Sequence, residues 1–161
     1  MTLFSKLPLE TRQGILNRLQ ARKARFFKCV KNARSLSTKV LLVGDRPGPG
    51  APTDPSYHHT PFYSIRNCSG WLNKQLHDAE IPEEDLLWVN SADKDGVVSD
   101  GSFLVNLEGT QVIIALGGNA AKWCAKQGLA HELIHHPQYW KRFRSKEPYV
   151  LIPLLKKLTS P

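Results

Sequence analysis

The stretch Lys39 to Gly50 (KVLLVGDRPGPG) constrains the fold most: an apolar, β-branched run halts in a turn where Gly and Pro alternate around one acid and one arginine. An apolar run without polar alternation predicts a strand covered on both faces, which belongs in a parallel sheet with helices above and below it. Ligands of open α/β sheets bind beyond the carboxyl ends of the strands, so Asp45 and Arg46 are predicted on the rim of a pocket. Taken alone, the turn is equally compatible with a rigid loop in which Asp45 only caps its own backbone.

The pattern recurs along the chain. Leu86 to Val89 is predicted as a second buried strand ending at Asn90. Gln111 to Leu116 is predicted as a third, which Gly117-Gly118-Asn119 turns into a helix over Ala120 to Gln127, with Asn119 as its cap. His136-Pro137 falls where a fourth strand would end. Cys68 to His77 reads as a helix capped by Ser69, and Pro148 to Leu158 as a closing apolar helix whose Lys156 and Lys157 suit its negative end. Ala51 to Thr60, with His58 and His59, reads as an irregular loop, and Asp93 to Gly101 as turns, since the closing glutamate of a calcium loop is missing. Strands alternating with helices predict an α/β three-layer sandwich, in which helices flank a central four-stranded, mostly parallel sheet within a single domain over residues 1–161.

Charge bears on the partner. Lys and Arg number 22 against 14 acids, a net charge of +8, which favours a polyanion such as nucleic acid. A basic helix is predicted at about residues 8–34, with Ile15, Leu16, Leu19, Phe26, Phe27 and Val30 as its apolar face. Arg12, Arg18, Arg22, Lys23, Arg25, Lys28 and Lys31 fill the rest, either as a solvated face or as phosphate contacts. The three cysteines, Cys29, Cys68 and Cys124, form no C-x-x-C pair, which argues against a disulfide framework, a zinc ribbon or a four-cysteine cluster. A cytoplasmic monomer is expected, with neither a membrane span nor a secretory leader.

Five short motifs, in order, resemble those of the small α/β members of the uracil-DNA glycosylase superfamily. They are GDRPG (Gly44 to Gly48), TPF (Thr60 to Phe62), WVN (Trp88 to Asn90), LGGNA (Leu116 to Ala120) and HPQ (His136 to Gln138). The resemblance implies a monofunctional DNA glycosylase without a cofactor or metal, acting on a flipped uracil or 5-substituted pyrimidine. Breaking an N-glycosidic bond leaves an oxocarbenium-like sugar and an anionic base, so such a site needs a carboxylate to orient water and a donor for the departing oxygen. The resemblance gives these roles to Asp45 and His136. It further implies that Asn90 reads the base edge and Phe62 stacks on its face, with Gly44, Arg46, Pro47 and Gly48 completing the substrate pocket. DNA contacts are implied for Gly117, Gly118, Lys122, Gln138, Tyr139, Lys141, Arg142 and Arg144, one side chain of the basic aromatic segment Tyr139 to Arg144 wedging the gap left by the flipped base.

Three departures from that family's pattern stand out. Gln138 replaces the serine of His-Pro-Ser, and the segment between Gly50 and Phe62 is long. Gly48 stands where the best-known uracil enzymes place a bulky tyrosine against a 5-methyl group, so this pocket is expected to admit 5-substituted pyrimidines.

Two other readings compete. His131 to His135 (HELIH) fits H-E-x-x-H, the zinc-peptidase motif, but that motif needs a helix, and Pro137 pushes the residue before it toward extended geometry. The segment is therefore expected to be an extended lead-in to His136. A catalytically dead nucleic-acid binding module sharing the fold and the basic face is the other.

Overall fold

A computed structural model describes residues 4–48, 60–109 and 111–159. The apolar runs form four parallel strands, β2 (Val40–Gly44), β3 (Leu86–Asn90), β5 (Val112–Leu116) and β6 (Glu132–Ile134), in the order β3-β2-β5-β6. A separate parallel pair joins β1 (Leu36–Ser37) to β4 (Leu107–Glu108). The helices are α1 (Leu9–Phe26), α2 (Asn67–Asp78), α3 (Gly118–Lys126), α4 (Pro137–Phe143) and α5 (Leu151–Thr159).

Alternation along the central strands builds two cores. Leu41, Val43, Leu87, Val89 and Ala115 pack on one face against Ala120, Trp123 and Cys124 of α3 and against Phe26 and Cys29. Val40, Leu42, Leu86, Trp88, Ile114 and Leu116 pack on the other face against Leu72 and Leu76 of α2 and Leu151 and Leu155 of α5. Strands buried on both faces in this way give the three-layer α/β sandwich. No helix among the described residues is long and apolar enough to cross a membrane.

The basic helix differs from its expected form. Its α-helical part ends at Phe26, and a single π turn, Phe27–Lys31, follows. Ile15, Leu19 and Phe26 are buried, but Leu16 and Phe27 are exposed. Three of the arginines read as a solvated or phosphate-binding face point into the protein instead. Arg22 is 1% exposed; its Nε donates to Glu83 Oε1 at 2.7 Å, and its guanidinium lies 4.2 Å from the centre of the Trp88 ring. Arg18 pairs with Glu83 Oε2 at 2.6 Å and donates to the carbonyls of Leu76 and Ile81. Arg25 donates to the carbonyls of Leu86 and Ser37. These bonds fasten α1 beside β3, an edge strand of the sheet, so the helix also covers an edge that would otherwise invite pairing.

Two predicted caps are corrected. Ser69 lies inside the first turn of α2, buried, where its hydroxyl donates to the Ser64 carbonyl; the position before the helix, Arg66, makes no side-chain cap. Helix α3 begins at Gly118, so Asn119 is inside it and its amide turns to Asp45 instead. The closing helix starts at Leu151 rather than Pro148.

Glu83 is the only carboxylate bonded to Arg18 and Arg22 among the described residues, so Glu83→Ala leaves a fully buried guanidinium without its counter-ion. Breaking a buried pair from one side costs about 3–5 kcal/mol. Urea unfolding should read a loss in that range, and a loss under about 1 kcal/mol would contradict the anchoring role.

Candidate active site

Strand register delivers the first two groups. Gly44 pairs with Asn90, so β2 and β3 end side by side. Beyond those ends the Ser91 hydroxyl and the Ala92 N–H both donate to the Asp45 carbonyl, at 2.8 and 3.1 Å, which fixes where the carboxylate leaves the backbone. Asn119 Nδ2 donates to Asp45 Oδ1 at 3.2 Å, and none of the described residues donates to Oδ2. Asn90 is 1% exposed, and its Nδ2 has no hydrogen-bond partner among the described residues. Gly44 has to be glycine for the amide to sit there. A Cβ at that position would stand 2.6 Å from Asn90 Oδ1 and 2.9 Å from Pro61 Cβ.

Phe62 is held by its backbone. It adopts a φ of 57°, left-handed geometry that a bulky residue rarely takes and that costs on the order of 1–3 kcal/mol. Two buried donors grip its carbonyl: Arg22 Nη1 at 2.9 Å and Asn73 Nδ2 at 2.8 Å. The ring then stands edge-on to Trp88, with centroids 5.9 Å apart, and tilts against His136 at 5.5 Å. Arg22 and Asn73 are thus positioning residues for Phe62. Sequence reading missed both, and only the geometry identifies them.

His136 closes the group. It precedes α4, and its Nδ1 accepts the Gln138 N–H at 3.0 Å. A nitrogen that accepts carries no proton, so the neutral ring bears its hydrogen on Nε2. Burial pushes the imidazole below its ordinary value of 6.5, and the charge of Asp45 opposes this only in part. The ring is therefore neutral at pH 7. Gly117, with a φ of 103°, lets the strand-to-helix turn pass close to it; a Cβ there would lie 3.3 Å from His136 Cβ.

Asp45, Phe62, Asn90 and His136 line one cavity of about 370 Å³. Arg46, Pro47, Gly48, Gln138 and Lys141 line it as well, with Thr60, which the sequence reading did not single out. His58 and His59 lie outside the described residues. Lys122 lines a second hollow of about 300 Å³, which shares Asp45 and Arg46 with the first and includes Lys126. Tyr139, Arg142 and Arg144 belong to neither. Tyr139 stacks on His135 at 4.3 Å and tilts against Phe143 at 5.1 Å, and Arg144 pairs with Glu147. Trp140, a candidate wedge by position, is tied down: its Nε1 donates to the Glu147 carbonyl and its ring packs on Tyr149.

The H-E-x-x-H segment is strand β6 over Glu132–Ile134, not the helix that would gather two histidines on one face. His131 Nδ1 is engaged with the Leu129 carbonyl, and the described residues contain no group of three or more His, Cys, Asp or Glu able to hold a metal ion.

Comparison with protein-family models, curated proteins and solved structures gives no match for this chain.

Two measurements check this geometry. Gly44→Ala forces a methyl against Asn90 and Pro61, and overpacking of this kind costs about 1–3 kcal/mol in urea unfolding; an unchanged midpoint would contradict the close approach. His136 is also expected to leave a mark on the pH dependence of stability. The unfolded imidazole takes up its proton near 6.5 and the folded one only at lower pH, so between those values the unfolded state binds more protons. Stability should fall as pH drops from about 7 through that window and level off below it. His136→Ser, which keeps an oxygen to cap the Gln138 N–H, should remove this component, and parallel Tm curves for the two proteins would refute the depressed value.

Proposed function

We propose that this protein is a monofunctional DNA glycosylase that hydrolyses the N-glycosidic bond of a flipped uracil or 5-substituted pyrimidine, acting as a cytoplasmic, DNA-associated monomer. The observation that carries the proposal is the convergence of Asp45, Phe62, Asn90 and His136 on one cavity, from four separate parts of the chain. The order of its motifs, similar to that of the uracil-DNA glycosylase superfamily, supports the same assignment, as does the net charge of +8.

The chemistry follows from the groups available. Phe62 offers its ring to the face of the extruded base, and Asn90 offers an unpartnered N–H to a carbonyl on its edge, which together offset the few kcal/mol needed to unstack it. The C1′–N bond breaks with its electron pair leaving on the base. His136 Nε2–H donates to the base oxygen on which that negative charge collects, and a neutral donor suits the task because it need not surrender its proton. Asp45, one oxygen held by Asn119, keeps the other for a water molecule. The water adds to C1′ and passes its proton to the carboxylate, leaving an abasic sugar and a free base. The positive charges of Arg46, Lys122 and Lys141 around the two hollows support phosphate contact there.

The test is excision from oligonucleotides containing uracil or modified pyrimidines, with alkali revealing abasic sites. Asp45→Asn and His136→Ser should each lower single-turnover rates by at least about 100-fold while DNA affinity stays within about threefold. Full turnover by either variant would remove that residue from the mechanism. Tight DNA binding by the wild type without release of any base would identify a binding module instead.

A further inference from the structure

The segment around the π turn leaves three cations that the fold does not use. Arg18, Arg22 and Arg25 are spent on Glu83 and on backbone carbonyls, whereas Lys28, Lys31 and Arg34 are exposed, and none of these three enters a salt bridge among the described residues. No acid stands in the sequence between Glu10 and Asp45. The 3-10 turn Gly101–Asn106, which is fastened to the π turn where Asn106 Nδ2 donates to the Cys29 carbonyl at 2.8 Å, bears no charged residue either. The two segments that form this surface therefore supply positive charge alone.

Backbone geometry gathers the cations around an aromatic ring. The Arg34 N–H donates to the Lys28 carbonyl at 2.9 Å, and Ala33, with a φ of 52°, folds the chain back to allow it. In a π turn, closed from residue i to i+5, side chains four apart lie almost one above the other, which sets Lys31 beside Phe27. Phe27 is 54% exposed, although Phe26 before it is buried. This surface is far from the cavity. Arg25, just ahead of it, donates to the carbonyl of Leu86, the first residue of β3, whereas the cavity lies beyond Asn90, the last; about 13 Å of strand separates the two. None of Phe27, Lys28, Lys31 and Arg34 lines either hollow.

We propose that Phe27, Lys28, Lys31 and Arg34 form a second nucleic-acid surface, at the opposite end of the sheet from the cavity, that takes a single strand. The cations meet successive phosphates, and the ring stacks on a base that is unpaired and so has a face to offer. A lipid surface fits less well, because the exposed stripe leading to Phe27 along α1, Asn17, Gln20 and Ala24, carries no large apolar side chain to insert. A second surface of this kind holds the protein to nucleic acid while the cavity is empty.

The test titrates the isotope-labelled full chain with unmodified oligo-dA, followed by NMR, and measures affinity by fluorescence anisotropy over a range of salt. Backbone amide signals of residues 27–34 should shift. Replacing Lys28, Lys31 and Arg34 together by glutamine should weaken binding at least about tenfold and flatten the slope of log K against log salt by about 2, as three lost phosphate contacts on a single strand require. Phe27→Ala should weaken the strand at least about fivefold at an unchanged slope, leave a duplex of the same length unaffected, and, since the ring is exposed, leave the urea midpoint where it was. Shifts confined to residues around the cavity, an unchanged slope for the triple variant, or equal losses on strand and duplex for Phe27→Ala would each overturn the proposal. So would binding to phosphatidylserine vesicles that Phe27→Ala abolishes while oligo-dA shifts nothing. Shifts at 27–34 without any base release from the excision substrates would uphold this surface and reject the glycosylase reaction, whereas base release without those shifts would do the reverse.

Discussion

A single buried ion pair ties the architecture to the cavity. Arg22 has lost essentially all contact with water, a state that is tolerable only because each face of its guanidinium group finds a partner. Glu83 neutralises it, the Trp88 ring lies under it, and the Phe62 carbonyl takes one of its N–H groups. Those partners come from the turn before β3, from β3 itself and from the segment leading into α2. The same guanidinium therefore orients a helix against the sheet and sets the backbone of the aromatic residue that faces the cavity. Fold stability and pocket shape are linked through one side chain.

That linkage explains how Phe62 keeps an unfavourable conformation. Left-handed geometry at a bulky residue persists only where surrounding bonds over-determine it, and here the carbonyl is gripped from two sides by donors that are themselves buried. Asn73 extends the grip, since its amide also bonds the Ser64 carbonyl and so fixes the entry to α2. A ring held this way presents one orientation before any ligand arrives. The entropy of ordering it is met during folding rather than on binding.

The strands were readable because β2, β3 and β5 are apolar without interruption, which leaves few alternatives to burial on both faces. The polar residues at their ends could be placed on a common rim from topology alone, since parallel strands finish at the same edge of a sheet. The arginines of α1 could not. Glu83, the partner of Arg18 and Arg22, lies 61 residues beyond Arg22, and a count of opposing charges along the helix cannot register an acid that arrives from elsewhere. Asn73 and Thr60 were hidden for a related reason: in sequence they are ordinary polar residues, and only their burial distinguishes them. Ser69 and Asn119 were taken for caps because their residue types suit that role, yet each lies one or two positions inside its helix; Ser69 spends its hydroxyl on the Ser64 carbonyl just ahead of the helix, and Asn119 its amide on the distant Asp45.

At His136 the local rule and the chemistry meet. A residue preceding a proline-initiated helix is drawn to extended backbone, and its side chain is then within reach of the first free N–H groups of that helix. An imidazole in this position caps with Nδ1, which decides the tautomer before any substrate is considered. The proton is left on Nε2, in a ring that burial keeps neutral and that contacts Phe62. A serine or aspartate would cap α4 equally well, but neither would carry an N–H on the far side of the capping atom. The cap accounts for a polar residue at position 136, and of the three only histidine leaves an N–H over, in a ring that lies against Phe62.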